Sequence, residues 1–144
     1  MLFRSFSKKW NYFLKENANL NSAHVVLVKD NQILLLKRAS NDAWMPDHYA
    51  FPGGKFEKGE DALDAICREC KEETNLDIDK NNIVFLNTIS NELGHKFYLA
   101  KNFSGDLKLN NEHSDFKWVN PKELSSFKTV PDVIIVAKAA LEVF

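Results

Sequence analysis

Apolar positions along the chain recur at two spacings, and the spacing assigns each segment. Phe6, Trp10, Phe13 and Leu14 recur at helical intervals between polar neighbours, which predicts an amphipathic helix within residues 1–20. Residues 23–28 and 33–36 are β-rich runs, and Lys29-Asp30-Asn31-Gln32 between them reads as the turn of a hairpin. Residues 39–48 show no period. They lead into Tyr49-Ala50-Phe51-Pro52-Gly53-Gly54, where Pro52 stops any regular element and two glycines allow a positive φ or a close backbone approach to a ligand. Helical spacing returns over residues 61–74, with Asp61 as N-cap and Asn75 as the residue that ends the helix. Strands are predicted at 83–90, 96–100 and 116–119, and a last helix opens at Pro131 and carries residues 133–141. Strands and helices mix without regular alternation, so the expected class is α+β, a mixed sheet packed between helices.

Composition narrows this picture. A chain of 144 residues is the size of one domain with its own core, and no repeat or linker divides it, so a single domain over 1–144 is expected, with 1–20 a helical extension. A hydrophobic share of 44% beside 27% charged residues excludes disorder and a membrane protein. The longest apolar run, Val133 to Ala137, is too short to cross a bilayer. No apolar stretch with a cleavage site opens the chain, so a cytoplasmic setting is expected. A net charge of −1 argues against long nucleic acid as a partner, because that affinity comes largely from neutralising phosphates. The two cysteines, Cys67 and Cys70, lie three apart in a charged segment, which suits a reducing compartment and leaves too few thiols for a Cys₄ metal site.

The chemistry concentrates on the middle helix. On a wheel at 100° per residue Ala65, Glu69, Glu72 and Glu73 form one stripe, and Leu63, Ile66 and Cys70 form the adjoining one. Carboxylates three and four apart repel by about a few tenths of a kcal/mol, and Arg68 and Lys71 offset part of that. A hard divalent cation would offset more, and oxygen-only ligation selects Mg²⁺ or Mn²⁺. An isolated Glu-x-x-Glu-Glu reads more readily as a solvated acidic face than as a metal site. Its context decides between the two.

Turn and helix together spell Gly54-Lys55-Phe56-Glu57-Lys58-Gly59-Glu60, seven more residues, then Arg68-Glu69-Cys70-Lys71-Glu72-Glu73-Thr74-Asn75-Leu76. This resembles the Nudix box, which runs Gly, five residues, Glu, seven residues, Arg-Glu, an aliphatic residue, one residue, Glu-Glu, one residue, Gly, and an aliphatic residue. Six fixed polar or glycine positions match. At about one chance in fifteen per position, that has a probability on the order of 10⁻⁷ per window. Two positions depart from the pattern. Asn75 replaces the last Gly, and Asn is the next most common residue in a left-handed helix end. Cys70 takes the aliphatic slot, where a free thiol packs as a small hydrophobe.

The resemblance implies an α/β/α sandwich around a mixed sheet and a hydrolase of nucleoside diphosphate derivatives (nucleotide sugars, dinucleotides or nucleoside triphosphates) using Mg²⁺ or Mn²⁺. By motif position it implies that Glu69, Glu72, Glu73 and the Gly54 carbonyl ligate metal, with Glu73 central. Arg68 would orient a catalytic glutamate, and Glu60 would be a supporting carboxylate. Arg38, at the end of the second hairpin strand, matches an Arg that reaches substrate phosphate in many members. Glu112, six residues before Trp118, matches a glutamate that serves as base or ligand in several, and His113 matches a histidine base in relatives acting on nucleotide sugars. Trp44 is the candidate for stacking on a base. The family's members are often homodimers. Two other readings share the scaffold: isomerisation of isopentenyl diphosphate, which in the family depends on a cysteine outside the box helix, and non-catalytic nucleotide sensing, in which box glutamates are commonly lost.

Overall fold

The structure is a computed structural model that describes residues 21–88 and 94–144, so the predicted N-terminal helix and the end of the predicted 83–90 strand lie outside it. Strand β1 (Ser22–Lys29) turns through Asp30 and Asn31, both at positive φ, into β2 (Gln32–Arg38). Lys29 pairs with Gln32, so this is a two-residue hairpin of the kind that needs left-handed residues at both central positions. Two short strands follow, β3 (Tyr49–Ala50) and β4 (Gly53–Lys55), then helix α1 (Ala62–Thr74). Next come β5 (Asp77–Ile78), β6 (Ile83–Leu86), β7 (His95–Ala100), β8 (Phe103–Ser104), β9 (His113–Val119) and helix α2 (Val133–Leu141).

The main sheet runs β3-β2-β1-β7-β6, with β4 also on β1 and β9 also on β2. It is mixed, because β1 and β7 are parallel and its other pairs antiparallel. Along β1 and β2 successive side chains serve opposite faces. Val25, Leu27, Leu34 and Leu36 pack with Ala65, Ile66 and Cys70 of α1. Val26, Val28, Ile33 and Leu35 pack with Val133, Val136, Ala137 and Ala140 of α2. Burial on both faces explains why these strands read as unbroken apolar runs rather than as alternation. The arrangement is an α/β/α sandwich around a mixed sheet, as the box resemblance implies.

Both ends of α1 follow from their residues. The Asp61 side chain accepts from the Asp64 N–H at 2.8 Å. Asn75 adopts φ 67°, its N–H donates to the Lys71 carbonyl, and its side chain donates to the Asp106 carbonyl, so Asn holds the turn that Gly would otherwise make. Several boundaries differ from the sequence reading. Strand β6 ends at Leu86, with Asn87 and Thr88 outside it, short of the expected 90. Helix α2 begins at Val133 with Asp132 as cap, which leaves Pro131 before the helix rather than in its first turn. Strand β9 begins at His113 instead of Phe116, for a reason that bears on the site.

Candidate active site

Three segments converge at one end of the sandwich. The first is β4. Gly53 has φ +149°, and a Cβ there would lie 2.3 Å from the Ala23 carbonyl oxygen, so only glycine lets β4 lie this close to β1. From that position the Gly53 N–H donates to Glu73 Oε1 at 2.9 Å. A Cβ on Gly54 would come within 2.7 Å of the Glu69 carboxyl carbon. The two glycines therefore press the backbone against both carboxylates.

The second segment is α1, where the wheel's single acidic stripe divides in three. Glu73 is 3% exposed, Glu69 is half-buried and Glu72 is exposed. Burial pushes the Glu73 carboxyl well above its ordinary range, and the fields of Glu69, Glu112 and Glu72 push the same way against the Gly53 hydrogen bond. Burial also raises Glu69, opposed by Arg68. Arg68 grips Glu60 with two nitrogens at 2.8 and 3.0 Å and reaches Glu69 at 3.0 Å, Glu72 at 3.3 Å and the Lys55 carbonyl at 3.1 Å. Its hydrogen bonds hold Glu60 down at about 2. Glu60 in turn accepts from the Glu57 N–H at 2.9 Å, which ties the loop after β4 to the helix.

The third segment is β9. Leu36 pairs with Phe116 and Lys37 with Asp115, but Arg38 then pairs with His113, a register shift that passes over Ser114. Strict alternation would put His113 on the side of Val119, which packs with α2. The shift turns it toward α1 instead, where its Nδ1 lies 3.6 Å from Glu73 Oε2. Burial lowers the imidazole to about 4, so it is neutral at physiological pH. Glu112, Glu73 and His113 each offer a ligand atom, all within 4.8 Å of one another, and among the described residues no other group of three does so. These donors suit a divalent cation, and the fit shows in the His113 Nδ1, a buried atom with no hydrogen-bond partner beside two carboxylates.

A cavity of about 390 Å³ opens beside this cluster. Arg38 and Trp44 line it together: the guanidinium lies 4.8 Å from the Trp44 ring centroid, donates to the Trp44 carbonyl and pairs with Asp42 at 2.7 Å. Trp44 is thus half-buried under Arg38, and its free stacking surface is smaller than an open loop would give. The far wall holds residues that sequence reasoning missed. His24 is stacked on Phe97 at 5.2 Å and pulled down to about 4 by burial. Ser22 and His95 share a 2.6 Å hydrogen bond across β1 and β7. Asp132 is 6% exposed and pushed up to about 7 by burial. No local pattern marks these residues, because they meet only when β1, β7 and the start of α2 come together.

The cysteines stand apart from this cavity. Cys70 is fully buried with its thiol pushed up to about 12, and Cys67 is also raised by burial.

Known proteins share both pattern and fold. An archaeal ADP-ribose pyrophosphatase from Methanocaldococcus jannaschii is 47% identical over 51 residues, which is 35% of this chain and 29% of that protein. The asymmetrical bis(5'-nucleosyl)-tetraphosphatase of Caenorhabditis elegans is 34% identical over 58% of this chain and 64% of its own length. The nucleoside triphosphatase NudI of Salmonella agona is 26% identical over 71% of this chain and 82% of its own. The chain thus spans under two thirds of the first two relatives. Among solved structures, an Ap4A hydrolase of C. elegans superposes with a TM-score of 0.62 at 26% identity, covering 85% of this chain and 99% of that one. A MutT structure from work on Aliivibrio salmonicida and Vibrio cholerae reaches 0.71 at 21% identity over 87% and 98%, which shows the fold. The family's sequence profile matches residues 19–138, which takes in every described strand and reaches into α2, and the chain belongs to the NUDIX domain family.

Proposed function

We propose that the protein is a metal-dependent pyrophosphohydrolase cleaving the diphosphate linkage of a nucleoside diphosphate derivative. The observation that carries this is the buried Glu73, held by the Gly53 N–H and facing Glu112 and His113, because burying a carboxylate beside other carboxylates costs stability unless the site has work to do. The names of the relatives, acting on ADP-ribose, dinucleoside tetraphosphates and nucleoside triphosphates, support the substrate class.

In this reading Glu73, Glu69, Glu72, Glu112 and the Gly54 carbonyl hold Mg²⁺ or Mn²⁺. The bound cation supplies charge neutralisation for the diphosphate and a more acidic water. The chain's own groups do the rest. Arg68 fixes Glu69 in one rotamer against the repulsion of its neighbours, so the carboxylate needs no reorganisation during the reaction. Arg38, braced by Asp42 and Trp44, offers its remaining N–H groups to a phosphate at the cavity mouth. Glu112, exposed at the rim, would take the proton of the attacking water with the carboxylate oxygen that does not ligate the cation. The nucleoside end occupies the cavity floored by His24 and Asp132.

The isomerase reading finds no support, since Cys70 is buried and Cys67 lies outside the cavity lining. Incubation with nucleotide sugars, dinucleotides and nucleoside triphosphates plus Mg²⁺, followed by ³¹P NMR of the products, tests the proposal. Cleavage at a diphosphate linkage is expected, and Glu73→Gln should lower kcat by about 10²-fold or more with the fold retained. No product from any of the panel overturns the hydrolase reading.

A further inference from the structure

We infer that His113 Nδ1 is a ligand of the cation bound at Glu73 and Glu112, making this a mixed nitrogen and oxygen site rather than a purely oxygen one. The inference rests on the metal-dependent reading above and adds a donor to it. Three observations meet here. His113 is 8% exposed, and its Nδ1 is buried with no hydrogen-bond partner, a condition that costs stability when nothing compensates it. That atom faces Glu73 Oε2 at 3.6 Å, too long for a hydrogen bond between them. Two ligands at about 2.1 Å from one ion lie roughly 3 Å apart when adjacent and about 4.2 Å apart when opposite, so the 3.6 Å seen here falls between the two and a small side-chain movement lets both atoms reach one cation.

The backbone supports the same conclusion. His113 reaches the α1 side only through the register shift at Arg38, and Glu112, the residue before it, supplies the third ligand atom. Arg38 opposite His113 is engaged by Asp42 and Trp44. A nitrogen donor also alters metal preference. Imidazole strengthens binding of Mn²⁺, Co²⁺ and Zn²⁺ far more than that of Mg²⁺, which favours oxygen.

Pulsed electron paramagnetic resonance of Mn²⁺ on the full chain, with histidine at natural abundance and then ¹⁵N-labelled, reads the donor directly. The expected result is a ¹⁴N coupling of a directly bound imidazole that converts to ¹⁵N on labelling. It should vanish in His113→Gln, whose Kd for Mn²⁺ should rise about tenfold while that for Mg²⁺ moves less than about threefold. Mn²⁺ bound to the wild-type protein without nitrogen coupling overturns the nitrogen ligand and leaves the carboxylate site standing. A coupling that persists in His113→Gln overturns the assignment to this residue. No bound Mn²⁺ in the wild type overturns the metal reading itself. The labelled wild-type measurement decides the matter even if the variant does not fold.

Discussion

At the scale of single residues, the two adjacent glycines make separable demands. Gly53 is confined by backbone: an added Cβ would strike the Ala23 carbonyl oxygen at 2.3 Å and the His24 Cα at 2.6 Å, in a φ region that side chains rarely adopt. Gly53→Ala should therefore destabilise the fold by about 3 kcal/mol or more, read as a lower urea midpoint. Gly54 is confined by a side chain, because the three atoms nearest its Cβ would all belong to the Glu69 carboxyl group. A carboxylate can swing away, so Gly54→Ala should keep the urea midpoint within about 1 kcal/mol while lowering kcat by roughly tenfold or more. Equal stability losses in the two variants would show that Gly54 serves the fold and not Glu69. Both glycines are plain in the sequence. Their different constraints are not, since each depends on what β1 and α1 bring against them.

At the scale of elements, the N-terminus of α2 carries an unusual cap. Asp132 is helical in backbone, makes no side-chain cap hydrogen bond and is buried, with a pKa near 7 against an ordinary 3.8. Below about pH 4 the carboxyl is protonated in both folded and unfolded chains. Between pH 4 and 7 the folded protein keeps a proton that the unfolded chain has released, so stability falls as pH rises, and the full cost stands above pH 7. The cost is of the order of a few kcal/mol. Asp132→Asn should then unfold at higher urea than wild type at pH 8, with the two converging near pH 4; a constant gap across that range would remove burial of the charge as its cause. Elements were legible where one local rule decided them: the Asp30-Asn31 turn, the Asp61 cap and the Asn75 stop all stand where spacing put them. Where tertiary pairing decided, the reading fell short. Polar His-Ser-Asp hides the first three residues of β9 from the apolar pattern, and glycines, which weaken a strand, give β4 the pattern of a turn.

At the scale of the whole molecule, the box on α1 was readable because its spacing is fixed within one helix and one turn, whereas its partners come from far along the chain. His113 joins Glu73 across 40 positions, and Ser22 joins His95 across 73. At Glu73 the link is electrostatic: burial and then Glu69, Glu112 and Glu72 each raise its carboxyl, so the site gathers several like charges in a partly buried place. A divalent cation that binds only the folded chain relieves that repulsion and adds stability as RT ln(1 + [L]/Kd), about 2.7 kcal/mol at a hundredfold excess over Kd. For a chain of this size that is a rise in Tm of roughly 10 °C. Mn²⁺ or Mg²⁺ should raise the Tm of the wild-type protein by about this amount, and chelation should reverse it. Glu73→Gln removes the buried charge, so without metal it should melt at or above the wild type at pH 8, and with metal it should gain less than about 3 °C. An equal gain in both proteins would move the ion away from Glu73, and a Glu73→Gln protein that melts well below the wild type without metal would show the carboxylate to be structural.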